Sequence, residues 1–383
     1  MSDVLEVKHL SVSFFTRQGE VQAVRNVSFS LKKGEILALV GESGCGKSAL
    51  CRSIMKLLPA SAKQKAGQIL LDGEDITGYP ERKMCTLRGS RFSMVFQDPM
   101  TALNPAMTIG DQIAEAVKQQ KADQKQRLSR EQVYHRVEEL MELVGIDYPA
   151  ERSRQYPHQF SGGMRQRAVL AVALAGNPEI IFADEPTTAL DVTVQAQILD
   201  LFRDIQKKLG TSIVFVTHDL GAVAHVADRV AVMYAGKIVE IGTADEIFYD
   251  PCHPYTKGLM RALPAASIGK DALYTIPGMP PTLIDPPKGD AFACRNEQAL
   301  AIDYEEEPPM FRVSDTHFAA SWMLDARAQQ SVRHSPEETT SVSVHPRCML
   351  PENAEILLDV RHLSQVYTLP GGRTAKALDD VSF

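Results

Sequence analysis

Gly41-Glu42-Ser43-Gly44-Cys45-Gly46-Lys47-Ser48 is the stretch that decides how this chain folds. It fits G-x-x-x-x-G-K-[ST], the phosphate-binding loop of nucleoside triphosphatases. The apolar run Ile36-Leu37-Ala38-Leu39-Val40 leads into it and reads as a buried strand. Ala49 to Leu58 follows and reads as a helix stopped at Pro59. Strand, glycine loop and helix form the context the motif needs. Gly41, Gly44 and Gly46 let backbone N–H groups turn inward around a phosphate with no Cβ in the way. The new helix adds its positive N-terminal end. On this reading Lys47 reaches the β- and γ-phosphates and Ser48 ligates Mg²⁺.

Composition narrows the classes. A chain of 383 residues, 44% hydrophobic and 23% charged, reads as a soluble globular protein of two or more domains. A net charge of -7 argues against nucleic acid as the main partner. No apolar run approaches the ~18 residues of a transmembrane span. Met1 to Glu6 lacks the basic and apolar segments of a secretory signal. Six scattered cysteines without a C-x-x-C pair suit a reducing compartment. Cys45, inside the loop, reads as a small tolerated side chain rather than a redox sensor.

Leu5 to Phe14 and Val21 to Leu31 read as strands with Gly19 at the turn, and Phe14 or Phe15 either stacks on an adenine ring or packs in the core. Gln68 to Leu71 and Arg91 to Phe96 read as further strands. The run from Gln97 to Pro105 reads as loop, and about Ile109 to Gly145 as helical. There Ser129-Arg130-Glu131-Gln132 has capping-box form, and Val133, Val137, Leu140, Met141 and Val144 share one face as core. Ser161 can cap a helix starting at Gly162-Gly163, a second anion site. Ile180 to Ala183 is an apolar strand ending in Asp184-Glu185, and Ile213 to Val216 is one ending in Thr217-His218-Asp219. Between them Val194, Ile198, Leu199, Phe202 and Ile205 mark a helix. Val230 to Met233 and Lys237 to Glu240 read as a hairpin around Ala235-Gly236. Strands alternating with helices imply an α/β fold with a parallel sheet and its site at the strand C-termini.

Taken in order, Gly41–Ser48, Gln97, Ser161-Gly162-Gly163, Asp184-Glu185, Ala189-Leu190-Asp191 and His218 resemble the nucleotide-binding subunit of an ATP-binding cassette (ABC) transporter. The resemblance covers roughly residues 4 to 320. Phe96 to Pro105, Ala183 to Gln197 and His253-Pro254-Tyr255-Thr256 narrow it to the ATPases of oligopeptide, dipeptide, nickel and glutathione importers. It implies a P-loop NTPase of ABC type with a RecA-like core, an antiparallel β subdomain, a helical subdomain at about 100–165 and a small proline-rich C-terminal extension. The implied boundaries are 1–260 for the nucleotide-binding domain, 261–323 for the extension and 324–356 for a linker.

The resemblance also assigns roles. ATP and Mg²⁺ are the implied ligands. Glu42, Ser43, Cys45 and Ala49 join the loop glycines, Lys47 and Ser48 around the nucleotide, and Phe14 stacks on adenine. Asp184, Ser48 and Gln97 face the metal, Glu185 is the base or water-positioning group, and His218 contacts the γ-phosphate. Ser161, Gly162, Gly163 and Asp191 meet the ATP of a second cassette, fused or as a homodimer. Two transmembrane permease subunits hold such an ATPase on the cytoplasmic face of the inner membrane, supplied by a solute-binding protein. A soluble non-transport ABC ATPase, or nickel or glutathione as cargo, is the alternative.

Relatives with this extension carry four cysteines for an iron–sulfur cluster. Those positions hold Asp290, Asn296, Asp303 and Ser321, so no cluster is expected. Asp290, Asp303 and His317 read as solvated surface, with a replacement metal site among them as the lesser reading. Finally, Leu358 to Ser364 repeats Leu5 to Ser11, and Ala377 to Phe383 parallels Ala23 to Phe29, with one residue inserted between the blocks. Residues 357–383 therefore read as the start of a second, truncated ABC domain, disordered or borrowing a sheet edge.

Overall fold

The computed structural model describes residues 2–123, 128–188, 190–263, 274–328, 359–368 and 374–382. Ala189 and residues 329–356 of the expected linker lie outside them. The chain divides into two units, Met1–Ile268 with Leu273–Glu337, and Gly269–Ala272 with Glu338–Phe383.

In the first unit β1 (Asp3–Thr16) and β2 (Gly19–Lys32) form an antiparallel pair. Leu5, Val7, Leu10 and Val12 are buried, and the alternation slips at a bulge where His9 has φ 51°. Next come β3 (Ile36–Val40), α1 (Lys47–Ile54), β4 (Ala62–Leu71) and β5 (Glu74–Asp75). The order β2-β1-β4-β5 makes a four-stranded antiparallel sheet.

The helix after the phosphate loop is shorter than its apolar sequence suggests. It stops at Ile54, not Leu58. Lys56 takes φ 53°, Leu57 N–H reaches back to the Arg52 carbonyl at 2.8 Å, and Lys56 N–H to Ser53 at 3.0 Å. That is a Schellman ending with lysine in the place glycine usually takes. Arg88 donates to the Met55 and Lys56 carbonyls, both at 3.0 Å, which secures the stop.

After α2 (Glu81–Leu87) and β6 (Phe92–Val95) the chain enters a helical layer. It comprises α3 (Pro99–Ala102), α4 (Ile109–Asp123), α5 (Arg130–Leu143) and α6 (Pro149–Arg152), and leads into α7 (Gly162–Leu174). The Ser129–Gln132 capping box starts α5, and Val133, Val137, Leu140, Met141 and Val144 are all buried against α4 and α7.

The remaining elements are β7 (Ile180–Asp184), α8 (Val192–Leu209), β8 (Ser212–Thr217), α9 (Leu220–Val226), β9 (Arg229–Tyr234), β10 (Lys237–Thr243), α10 (Ala244–Tyr249) and α11 (Pro254–Arg261). β11 (Phe311–Arg312) and β12 (Phe318–Ala319) belong to the extension. Together they build a sheet in the order β11-β12-β10-β9-β3-β8-β7-β6. Strands β6, β7, β8, β3 and β9 run parallel, so their C-terminal ends share one edge. Covered on both faces, β3, β7 and β8 are buried along their whole length and dominated by apolar residues, as a doubly covered parallel sheet requires. Ile181, Ala183, Ile213 and Phe215 face the helical layer; Ile180, Phe182, Val214 and Val216 face the antiparallel sheet. Phe182 meets Phe92 edge-on at 6.5 Å. Truncating such a side chain to alanine costs about 3–5 kcal/mol.

The extension joins the main sheet, since Glu240 and Ile241 of β10 pair with Ala319 and Phe318. Among the described residues no helix is long and apolar enough to cross a membrane.

In the second unit β13 (Leu363–Thr368) and β14 (Thr374–Val381) pair with each other antiparallel. This pair repeats three side-chain hydrogen bonds of the β1–β2 hairpin. His9 N–H donates to Ser28 Oγ at 2.8 Å, and His362 N–H to Ser382 Oγ at 3.0 Å. His9 Nδ1 lies 2.8 Å from Asn26 Oδ1, and His362 Nδ1 lies 2.7 Å from Asp380 Oδ1. Asn26 and Asp380 N–H donate to Ser11 and Ser364 Oγ, each at 3.0 Å. His9, Asn26, His362 and Asp380, at the two bulges, all have positive φ.

Candidate active site

The phosphate loop leaves β3 at the sheet's C-terminal edge. Gly41 has φ 151° and Gly46 φ 106°, and a Cβ on either would collide with the carbonyl oxygen of Met233 or Ala23. Backbone from two neighbouring strands therefore presses on the loop where only glycine fits. Cys45 is buried, and burial pushes its thiol above the usual range, which suits a packed side chain and not a reactive thiolate. Lys47 caps the turn from inside. Its ammonium donates to the carbonyls of Gly41 at 2.7 Å and Glu42 at 2.9 Å.

Ser48 stands in the first turn of α1 and donates from Oγ to Asp184 Oδ1 at 2.7 Å. Asp184, the last residue of β7, is buried, and burial raises its carboxyl above the usual carboxylate range. Its Oδ2 is enclosed without a hydrogen-bond donor and has Arg52 Nη2 at 3.7 Å. A hydroxyl and a carboxylate with an unmatched oxygen make a hard-oxygen donor set, which suits Mg²⁺.

One residue on, Glu185 has φ 48° and collects three side chains. Gln97 Nε2 donates to its Oε2 at 2.9 Å, Thr188 Oγ donates to the same oxygen at 3.0 Å, and His218 Nδ1 lies 3.3 Å from Oε1. The ends of β6, β7 and β8 each contribute a residue. Gln97 thus contacts Glu185 rather than the Ser48–Asp184 pair.

Ser161 caps α7, its Oγ accepting from Met164 N–H at 3.3 Å. Ser161 and Gly162 are exposed, whereas Gly163 is buried where a Cβ would strike Val194. Asp191 caps α8, accepting from Val194 N–H at 2.9 Å. Among the described residues no hydrogen bond joins Ser161 or Asp191 to the loop at 41–48. Phe14 packs half-buried against the cluster containing Cys45, and Phe15 points out beneath Lys63 and Lys65.

The extension corrects the surface reading of Asp290, Asp303 and His317, all of which are buried. Asp290 accepts from Phe292 N–H at 2.9 Å and Asp303 from Leu300 N–H at 2.6 Å, so both carboxylates cap tight turns. His317 stands apart from them. Its Nε2 pairs at 2.7 Å with Glu240, a fully buried carboxylate that also accepts from Cys252 and His253 N–H. Cys252 Sγ lies within 4.8 Å of these two ligand atoms, but the carboxylate is already filled, and the pair is a latch between β10 and the extension. Sequence reasoning gave no role to Thr188 or Arg52. The i, i+4 spacing from Ser48 puts Arg52 on its helix face, and Thr188 lies in the strand-end run already singled out.

Comparison with known proteins agrees with this geometry. Residues 24–188 match the ABC transporter family, and residues 239–302 match the oligopeptide/dipeptide transporter C-terminal region. The chain is 58% identical over 323 residues to the oligopeptide transport ATP-binding protein OppD of Bacillus subtilis (strain 168), covering 84% of this chain and 89% of that protein. It is 54% identical to the dipeptide transport ATP-binding protein DppD of Lactococcus lactis subsp. cremoris (strain MG1363), covering 85% and 92%. Among solved structures, the dimeric post-hydrolysis state of the ATP-binding cassette MJ0796 bound to ADP and Pi superposes with TM-score 0.55 at 26% identity, covering 63% of this chain and 98% of that one. With the phosphate loop, the strand-end carboxylates and the extension all matched by such relatives, the chain belongs to the ABC transporter ATP-binding proteins of oligopeptide/dipeptide type.

Proposed function

We propose that this chain binds and hydrolyses ATP to energise the import of peptides through a membrane permease. The observation that carries hydrolysis is the Glu185 carboxylate, held by Gln97, Thr188 and His218 at the strand ends where β7 also sets Asp184 against Ser48. Backbone N–H groups of Gly41–Ser48 and the start of α1 bind the phosphates, and Lys47 adds a fixed positive charge. Ser48 and Asp184 would hold Mg²⁺, which supplies charge neutralisation on the phosphates, while Gln97 stays on Glu185. Glu185 accepts a proton from, or orients, the attacking water, and His218 supports the γ-phosphate side. Phe14 offers its ring to adenine.

Ser161, Gly162 and Asp191 are exposed on helix starts that, among the described residues, make no bond to their own phosphate loop. A second cassette facing them would place its nucleotide there, and the β13–β14 hairpin repeats the opening of such a cassette. A groove of about 480 Å³ lined by Phe96, the residue before Gln97, with Leu103, Met107 and Val172 would receive a helical segment of the permease. The chain would then sit on the cytoplasmic face of the membrane. Peptide cargo is favoured over nickel or glutathione by the similarity to oligopeptide and dipeptide transport proteins.

Phosphate release measured against protein concentration tests this. Turnover should rise faster than linearly, and Glu185→Gln should abolish it while ATP binding persists. Strictly linear turnover would count against a shared site, and an active Glu185→Gln against the assigned base.

A further inference from the structure

The extension grips the phosphate loop. Arg295 closes the short 3-10 turn Ala293–Arg295 and is buried. Its guanidinium makes a two-pronged pair with Glu42, the second residue of the loop. Nη1 donates to Oε2 at 2.9 Å, and Nη2 donates to Oε1 at 3.0 Å. Two further donors are engaged as well: Nε meets the Pro277 carbonyl at 2.8 Å, and Nη1 meets the Tyr234 hydroxyl at 3.2 Å. Burial works against the charge, yet the bonds to Glu42 and Tyr234 outweigh it and hold Arg295 above its ordinary pKa. The backbone of Glu42 is fixed too, its N–H donating to the Tyr255 hydroxyl at 2.8 Å. Residue 42 is thus held at its backbone by Tyr255 of α11 and at its carboxylate by Arg295 of the extension.

This arrangement has an electrostatic consequence. Glu42 carries a negative charge on the loop that must receive a polyanion. A carboxylate so placed repels phosphate unless it is neutralised, and a planar guanidinium does so while fixing its orientation. A surface staple would not need a buried arginine with every named donor satisfied.

We propose that Arg295 is a positioning residue for the nucleotide phosphates, acting through Glu42 so that the C-terminal extension sets nucleotide affinity. The inference rests on Gly41–Ser48 being the nucleotide site. The pair couples residues 253 positions apart, so loosening the extension weakens the loop's grip and nucleotide binding in turn firms the extension.

Equilibrium binding of a fluorescent ATP analogue to the full chain tests it, with thermal melts as the check on folding. The wild-type chain is the control for the site itself: no binding there would sink the nucleotide-site reading rather than this one. Arg295→Met should raise Kd about tenfold, and Arg295→Lys, which keeps charge but not the fork, by about threefold. In a Glu42→Gln background the Arg295→Met step should change Kd by less than about twofold, because no unpaired carboxylate remains. The Arg295→Met effect should also shrink at high salt. A folded Arg295→Met that binds as wild type overturns the proposal, and so does an equal loss in the Glu42→Gln background. If Arg295→Met does not fold, Arg295→Lys and Tyr255→Phe decide: both should weaken binding, and wild-type affinity in either overturns it.

Discussion

Nδ1 of His218 lies 3.3 Å from Oε1 of Glu185, which joins the ends of β8 and β7 across the sheet edge. With Gln97 and Thr188 on the other oxygen, the carboxylate is held from both sides. A non-glycine φ of 48° at Glu185 is the conformational cost of aiming it. Replacing His218 with alanine frees one side of the carboxylate and leaves the phosphate loop intact. We expect kcat for phosphate release to fall by about 10²-fold or more, with nucleotide Kd changed less than about threefold. Steady-state kinetics beside equilibrium nucleotide binding check the split.

The loop itself fails by a different route. At Gly46 a methyl group meets the Ala23 carbonyl in a backbone with φ 106°. Left-handed strain alone costs about 1–3 kcal/mol, and the collision with main chain adds to it. Gly46→Ala should lose nucleotide binding and lower the melting temperature together. Gly44→Ala, where a Cβ meets nothing within 4 Å, should keep more of both. Calorimetric titration with ATP and thermal melts of the two variants make the comparison.

Features written in contiguous residues are legible in the sequence alone. The loop at 41–48, the acidic pair at 184–185, the Ser129 box and the Ser161 cap depend on local spacing, and each stands where spacing placed it. The end of α1 was not legible, because lysine replaces the expected glycine at Lys56 and the stop is secured by Arg88 from a distant turn. The burial of Asp290, Asp303 and His317 was missed for a related reason. Acidic residues and histidine look solvated unless the turn N–H groups and the Glu240 carboxylate that satisfy them are known. The Glu42–Arg295 pair spans 253 positions, and no local pattern announces it.

The Glu240–His317 latch gives a stability prediction with a sign. The hydrogen bond to Glu240 raises His317 above its ordinary pKa of 6.5. Its contribution is fully present below the unfolded pKa and is lost as pH rises through the folded one. His317→Ala leaves a buried carboxylate without its cation and should cost about 3 kcal/mol near pH 6, and less at pH 9. Chemical denaturation at the two pH values measures the difference, and an equal loss at both would remove the charge from the explanation.

Asp290 carries the opposite cost. Burial, with Asp303 nearby, raises its carboxyl from 3.8 to about 6, although the Phe292 N–H favours the ionised form. A folded pKa above the unfolded one means that the folded chain binds the extra proton. The stabilisation is therefore complete below pH 3.8 and is lost as pH rises through about 6. At neutral pH the ionised group works against folding by an amount on the order of 3 kcal/mol. Asparagine keeps an oxygen for the Phe292 N–H and carries no charge. Asp290→Asn should accordingly stabilise the chain at pH 7.5 by up to about 3 kcal/mol, with the gain shrinking towards zero as pH falls to about 4. Denaturant midpoints across that range read it directly. A gain that stays constant with pH would mean that packing, not the proton, sets the difference, and a loss at pH 7.5 would mean that the charge at Asp290 is needed where it stands.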